Sequence, residues 1–234
     1  MSEAQRLALA LMGRMNELAH PGRPHPPGLS SFGVGQAEVM ERLSTLEPRT
    51  RTSVWNIIPT LIFDPEDFSY TLDARSRDRG IDLQTITLPR TLRFHPLLSS
   101  LNTNLRLGPV LFNCIIIDSQ MAVIAGPDTA DGATTAWLAT SGEFLASALG
   151  MWHATFAESR TALPEGSTPP LTPRQLDVAR AVCLGRTDAA IARQLGTSER
   201  TIARHVAAIL DATGASSRSE AVLNMLGRGR HSRT

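Results

Sequence analysis

LTPRQLDVARAVCLGRTDAAIARQLGTSERTIARHVAAILDATGASSRSEAV, residues 171–222, decides how the rest of the chain is read. It divides into four short helices. Thr172 stands as N-cap of the first, and Pro173 takes its first position, where a missing N–H costs nothing. Leu176, Ala179, Val182 and Cys183 follow at helical spacing, and Gly185 ends the helix. Thr187 caps a second helix carrying Ile191, Ala192 and Leu195. Gly196-Thr197-Ser198 is a tight turn, and Ser198 caps a third helix that ends at Gly214. Ser216 or Ser217 caps a fourth, from Arg218 to about Leu226.

The third helix has two unlike faces. Ile202, Val206, Ile209 and Leu210 form an apolar stripe that must be buried. Roughly opposite lie Arg200, Ala203, Arg204 and Ala207: two cations, and two side chains too small to obstruct entry to a major groove. These four are the expected base-reading positions. Thr201 and His205 share one flank and, with Ser198 and Thr187, are expected to meet phosphate oxygens. Helix, short turn and basic helix make a helix-turn-helix.

The stretch resembles the LuxR-type DNA-binding domain over about a fifth to a quarter of the chain. The resemblance rests on Leu171-Thr172-Pro173-Arg174, Gly185, Ile191-Ala192, Leu195-Gly196, Ser198, Thr201-Ile202, His205-Val206, Ile209, Gly214, Arg218 and Glu220-Ala221. It implies a bacterial transcription regulator that binds double-stranded DNA as a homodimer. The departures remove charge. The family's Glu after Arg is Gln175, its Lys-Glu before Ile-Ala is Ala189-Ala190, the Lys of its Thr-Val-Lys is Ala203, and its late Lys-Leu is Ala212-Thr213. Arg200 and Arg204 then carry more of the binding.

The 234 residues have a net charge of +1, which hides an asymmetry. Residues 171–234 carry ten Arg against five Asp and Glu, whereas residues 1–170 carry thirteen Arg against seventeen acids. A basic tail on a mildly acidic body suits a nucleic-acid partner for the tail alone. All 23 basic residues are Arg. A Schiff base, a Walker-type phosphate lysine and a catalytic lysine are therefore excluded. Cys114 and Cys183 sit in apolar runs and read as buried thiols, not a disulfide framework. No apolar run approaches the ~18 residues of a membrane span, and the Leu7–Met12 run is too short for a signal core. The expected location is the cytoplasm, with no membrane partner, no cofactor and no metal.

Residues 3–19 form an amphipathic helix with Leu7, Leu11, Met15 and Leu18 on one side, docking on its own body or on a partner subunit. HPGRPHPPG, residues 20–28, is an arm, and its His20 and His25 read as solvated. Helices are expected from Gln36 to about Leu46 and from Pro65 to Arg79, strands at Val54–Pro59 and Ile81–Thr87, and a helix or loop through Pro96–Asn102. Leu105–Leu107 is a short strand. Leu111–Ile117 and Met121–Ala125 form a hairpin turned at Asp118-Ser119-Gln120. A strand at Thr134–Thr140 precedes a helix over Ser141–Ser159, with Leu145, Leu149, Trp152 and Phe156 inward. The organisation is a helix and arm over 1–35, an α/β sensor or dimerisation domain over 36–160, a Pro-rich linker over 161–170, and an all-α four-helix domain over 171–234.

The order of elements in the α/β domain resembles the phospholipase-D-like fold, which serves as a sensor in bacterial regulators related to the TrmB group. Enzymes of that fold carry His-x-Lys-x4-Asp on the strand entering the hairpin. If Asp118 is that Asp, the His falls on Leu111 and the Lys on Asn113, so the resemblance implies a half-domain without that chemistry. The region of Leu111, Asn113 and Asp118 is then an ancestral cleft open to a small-molecule effector. Trp55, Trp137 and Trp152 read as core packing, with a pocket wall as the alternative. His95 and His153 have no nucleophile at recognisable spacing and read as structural or surface residues. The expected function is a sequence-specific DNA-binding regulator controlled by its α/β domain. The alternatives are a degenerate phosphodiesterase-like enzyme with a DNA-binding tail, and a regulator whose α/β domain only oligomerises.

Overall fold

Alternating apolar residues place one side of the longer strands in a core, and a computed structural model of the chain shows the sheet that results. It describes residues 1–18, 25–66 and 69–229, so His20 and part of the arm lie outside the described residues. The strands are β1 Leu29–Val34, β2 Ser53–Ile57, β3 Asp82–Thr87, β4 Leu105–Leu107, β5 Cys114–Ile117, β6 Met121–Gly126, β7 Thr135–Ala139 and β8 Arg160–Thr161. Their order in the sheet is β1-β7-β6-β5-β2-β3-β4-β8. β2 and β3 run parallel, joined through helix α3 (Ser69–Asp78), and β5, β6 and β7 pair antiparallel.

The chain divides into two units. Residues 1–59, 68–88 and 106–160 make the first, and 60–67, 89–105 and 161–234 the second. In the first unit, Cys114 and Ile116 of β5 and Ala122 and Ile124 of β6 enter the main core, beneath helices α1 (Glu3–Leu18) and α6 (Gly142–Ala157). Val123, the neighbour between them, points to the opposite face. There it meets Phe32 of β1 and the half-buried Val39, Leu43 and Leu46 of α2 (Gln36–Leu46). The N-terminal helix docks on its own unit, burying Ala4, Ala8, Leu11 and Met15.

Some expectations need correction. Residues 29–34, read as arm, form strand β1 paired to β7 with a bulge between Ser31 and Gly33. Helix α3 begins at Ser69, not at Pro65. Pro96–Asn102 holds a short helix as expected, the single turn α5 (Leu98–Leu101), and another single turn, α4 (Thr91–Phe94), precedes it. On helix α6 (Gly142–Ala157), Trp152 is buried and Leu145 and Leu149 are half-buried against the core as expected, but Phe144, Ala148, Met151 and Thr155 are buried as well and Phe156 is 37% exposed.

The second unit is helical: α7 (Pro173–Cys183), α8 (Asp188–Leu195), α9 (Glu199–Thr213) and α10 (Arg218–Met225). Its core joins Leu171, Leu176, Val178, Val182, Ile191, Ile202, Ile209 and Met225. Phe63 and Leu97 belong to the same core, although they come from the connections that follow β2 and β3.

Candidate nucleic-acid interface

Side-chain caps set the helix starts that the sequence reading expected. Thr172 and Gln175 form a reciprocal capping box on α7, with Thr172 N donating to Gln175 Oε1 at 2.8 Å. Gln175 thus keeps the hydrogen bond of the family's Glu without its charge. Thr187 Oγ1 accepts from Ala190 N, Ser198 Oγ from Thr201 N, and Ser217 Oγ from Glu220 N, so Ser217 is the cap of α10. Gly196 closes α8 in the left-handed region at φ 62°, a conformation costly for other residues, and lets the chain turn at once into α9.

On α9, Ile202 and Ile209 are fully buried and Val206 and Leu210 half-buried. Arg200, Ala203, Arg204 and Ala207 are all exposed, so the two arginines and two alanines lie together on the free face. Among the described residues neither arginine forms an ion pair.

The flank is less open. Thr187 and Ser198 are exposed caps, while Thr201 and His205 are half-buried. Ser198 Oγ and Thr201 Oγ1 lie 3.0 Å apart. Burial holds the pKa of His205 below its ordinary value, helped by the positive charges of Arg204 and Arg174. Arg174 is not picked out as a contact by the sequence pattern alone. It starts α7, is exposed, and donates to the carbonyl of Leu195 at the end of α8. Helical spacing locates a residue on its own helix but cannot show which neighbouring helix it crosses. Arg218 pairs with Asp188 at 2.6 Å and donates to the carbonyl of Arg186, fastening α10 to the start of α8.

The first unit does not assemble the expected cleft. Leu111 and Asn113 are exposed, and Asp118 sits at the other end of β5, roughly 20 Å away along an extended strand. Asp118 instead accepts hydrogen bonds from the amides of Arg51, Thr52 and Ser53 and from the Thr52 hydroxyl. Trp55 stacks on Trp152 at 5.3 Å and donates through Nε1 to Asp82. His25 is exposed, its ring edge-on to Trp137, and His153 lies edge-on to Trp55. His95 is buried in the second unit. A cavity of about 240 Å³ in that unit is lined by Arg93, Phe94, Pro96, Ala212, Thr213 and Asn224 among others. Among the described residues, no helix is long and apolar enough to cross a membrane, and no group of three or more His, Cys, Asp or Glu could hold a metal ion.

Residues 169–225 match the family of bacterial regulatory proteins, luxR family, so the second unit carries a LuxR-type helix-turn-helix. A search of curated protein sequences found no match. Among solved structures, the chain is similar to TrmBL2, an archaeal chromatin protein, at 10% identity and TM-score 0.44, covering 68% of this chain and 63% of that one. The chain thus spans less than two thirds of TrmBL2. It is also similar to Nuc, a phospholipase D family member from Salmonella typhimurium, at 13% identity and TM-score 0.44, covering 58% of this chain and 99% of that one. VqmA of Vibrio cholera, in complex with ligand and DNA, is 20% identical at TM-score 0.25, covering 52% of this chain and 50% of that one.

Proposed function

We propose that this chain is a bacterial transcription regulator that binds specific DNA sites as a homodimer and is controlled by its α/β unit. The carrying observation is the free face of α9. Arg200 and Arg204 stand exposed and, among the described residues, without ion pairs, beside Ala203 and Ala207 and within the segment that matches the luxR family. A helix with two long cations and two short side chains can enter a major groove, where arginine recognises guanine edges. Thr187, Ser198, Thr201 and His205 border that face and would set its register on phosphates, with Arg174 added beside His205. One recognition helix spans one half-site, which is why a two-fold dimer is part of the proposal.

The α/β unit is taken as a control module, not a catalyst. The two positions that a His-x-Lys-x4-Asp strand would need hold Leu111 and Asn113, and Asp118 is occupied as an anchor. The test is selection of bound duplexes from a random library by the full chain, followed by affinity measurements on Arg200→Ala and Arg204→Ala. Each should lose ~1–3 kcal/mol and relax preference at one position of the site. Unchanged affinity in both would overturn the assignment of the α9 face.

A further inference from the structure

We propose that the connections 60–66 and 89–105 are a built-in clamp on the helix-turn-helix, with His95 as the positioning residue that holds α10 and, through it, the C-terminal end of α9. The reading adds a control element to the proposed DNA-binding function, but its own test needs no DNA.

Four observations carry it. Phe63 and Leu97 are 1% and 0% exposed within the core of α7, α8, α9 and α10. A core side chain so deeply buried is part of the unit's stability, not a surface contact. The buried amide of Leu171, at the entry to α7, donates to Ser100 Oγ at 3.0 Å. The Nδ1 atom of buried His95 lies 3.1 Å from the carbonyl oxygen of Met225 and 3.4 Å from the amide nitrogen of Phe63. With its proton on Nδ1 the ring donates to the end of α10; with it on Nε2 the ring accepts from Phe63. Finally, the ring packs on Gly227, where an added Cβ would lie 2.6 Å from His95 Cε1. Nothing larger than glycine fits there while the ring stays in place.

The path from His95 to the recognition helix is short. Met225 ends α10, and its neighbour Asn224 donates through Nδ2 to the carbonyl of Thr213, the last residue of α9, at 3.0 Å. Thr213 is nine residues beyond Arg204, about 13 Å along the helix axis. The clamp can therefore set the angle of α9 without covering its groove face. Both clamp segments continue directly from β2 and β3, which are parallel and paired, so they leave from the same end of both strands. A ligand or partner that shifted those strand ends would act on the helix-turn-helix core through covalent connections.

The experiment uses the full chain and two reporters. All three tryptophans, Trp55, Trp137 and Trp152, lie in the first unit, so their emission follows that unit alone. Backbone hydrogen exchange in α9 and α10 follows the second. Leu97→Ala and His95→Ala should each speed exchange in α9 and α10 about tenfold or more, with the thermal midpoint of tryptophan emission unchanged. His95→Gln, which keeps a donor, should lie closer to the unsubstituted chain than His95→Ala. Gly227→Ala attacks the same contact from the other side and should reproduce the pattern even if Leu97→Ala fails to fold. Unchanged exchange in α9 and α10 in Gly227→Ala and His95→Ala overturns the clamp. So does a tryptophan midpoint that falls together with the exchange protection. If the unsubstituted chain selects no duplex, the DNA-binding reading fails while the exchange result stands by itself.

Discussion

The carboxylate of Asp118 accepts a hydrogen bond from the amide of Thr52 at 2.7 Å, across 66 residues of sequence. The amides of Arg51 and Ser53 and the Thr52 hydroxyl join it, so the β5–β6 turn is tied to the entry of β2. Partial desolvation pushes the Asp118 carboxyl up, but these hydrogen bonds outweigh it and hold the pKa below the ordinary 3.8. The stabilisation is fully present above that ordinary value and is lost as pH falls through the lower, folded one. Asp118→Asn should cost ~1–2 kcal/mol at neutral pH, the scale of charge-assisted hydrogen bonds partly screened by water. Asp118→Ala should cost more, because the residue sits at φ 53°, where Asn and Asp are tolerated and Ala is not. Urea titration followed by tryptophan emission measures both, and equal midpoints for all three chains would refute the anchor.

Burial lowers the pKa of His95 below 6.5 and outweighs the hydrogen bond to Met225, which raises it. The unfolded chain then binds the proton more readily than the folded one. The second unit is most stable above pH 6.5 and weakens as pH falls from there through the folded pKa of His95. His205, also depressed, acts in the same direction. Exchange protection in α10 should therefore fall between pH 7.5 and 5, and His95→Gln should flatten that slope without abolishing the part due to His205. An equally steep slope in His95→Gln would mean that the ring does not titrate in the fold.

DNA affinity should show the opposite pH dependence. A phosphate beside His205 would favour its charged form and raise a pKa that Arg204, Arg174 and burial now hold down. Proton uptake then accompanies binding, and affinity should rise as pH falls below about 6.5, within the range where the fold persists. His205→Asn should remove that rise while leaving most of the binding at pH 8. Affinity independent of pH in the unsubstituted chain would place His205 away from the phosphates.

The α9 face was legible because one helix carries the whole pattern: 3.6-residue periodicity separates Ile202 and Ile209 from Arg200 and Arg204 without any knowledge of neighbours. Helix α6 was harder. Its sequence holds two apolar stripes, and the buried one contains Ala148 and Thr155, which look unsuited to a core. Thr155 is accommodated because its hydroxyl donates to the carbonyl of Met151 within the helix. Strand β1 was hidden by the Gly and Pro around it, and its partner β7 lies about a hundred residues away. The clamp was not legible at all. Phe63, His95 and Leu97 sit in connections without periodicity, and their partners in the second unit are remote in sequence. Local pattern reveals a face; only the fold reveals what meets it.

Ala203 offers a further test of the same helix. It is exposed between Arg200 and Arg204, where the LuxR pattern carries a lysine. A lysine at this position can follow two courses. If it reaches a phosphate, Ala203→Lys releases one more counterion, and the slope of log affinity against log salt should steepen by about 0.9. Affinity for all duplexes would then rise at low salt, and the preference between sites would narrow. If it points at a base edge, the salt slope should stay near that of the unsubstituted chain and the selected sequence should change at one position by ~1–3 kcal/mol. Measuring affinity for the selected duplex and a scrambled one at several salt concentrations separates the two. The exposed setting of Ala203 on the groove face predicts the second course, a changed base preference at nearly constant slope. Neither change, in a chain that still folds, would mean that position 203 does not face DNA and that the groove surface of α9 must be redrawn around Arg200 and Arg204 alone.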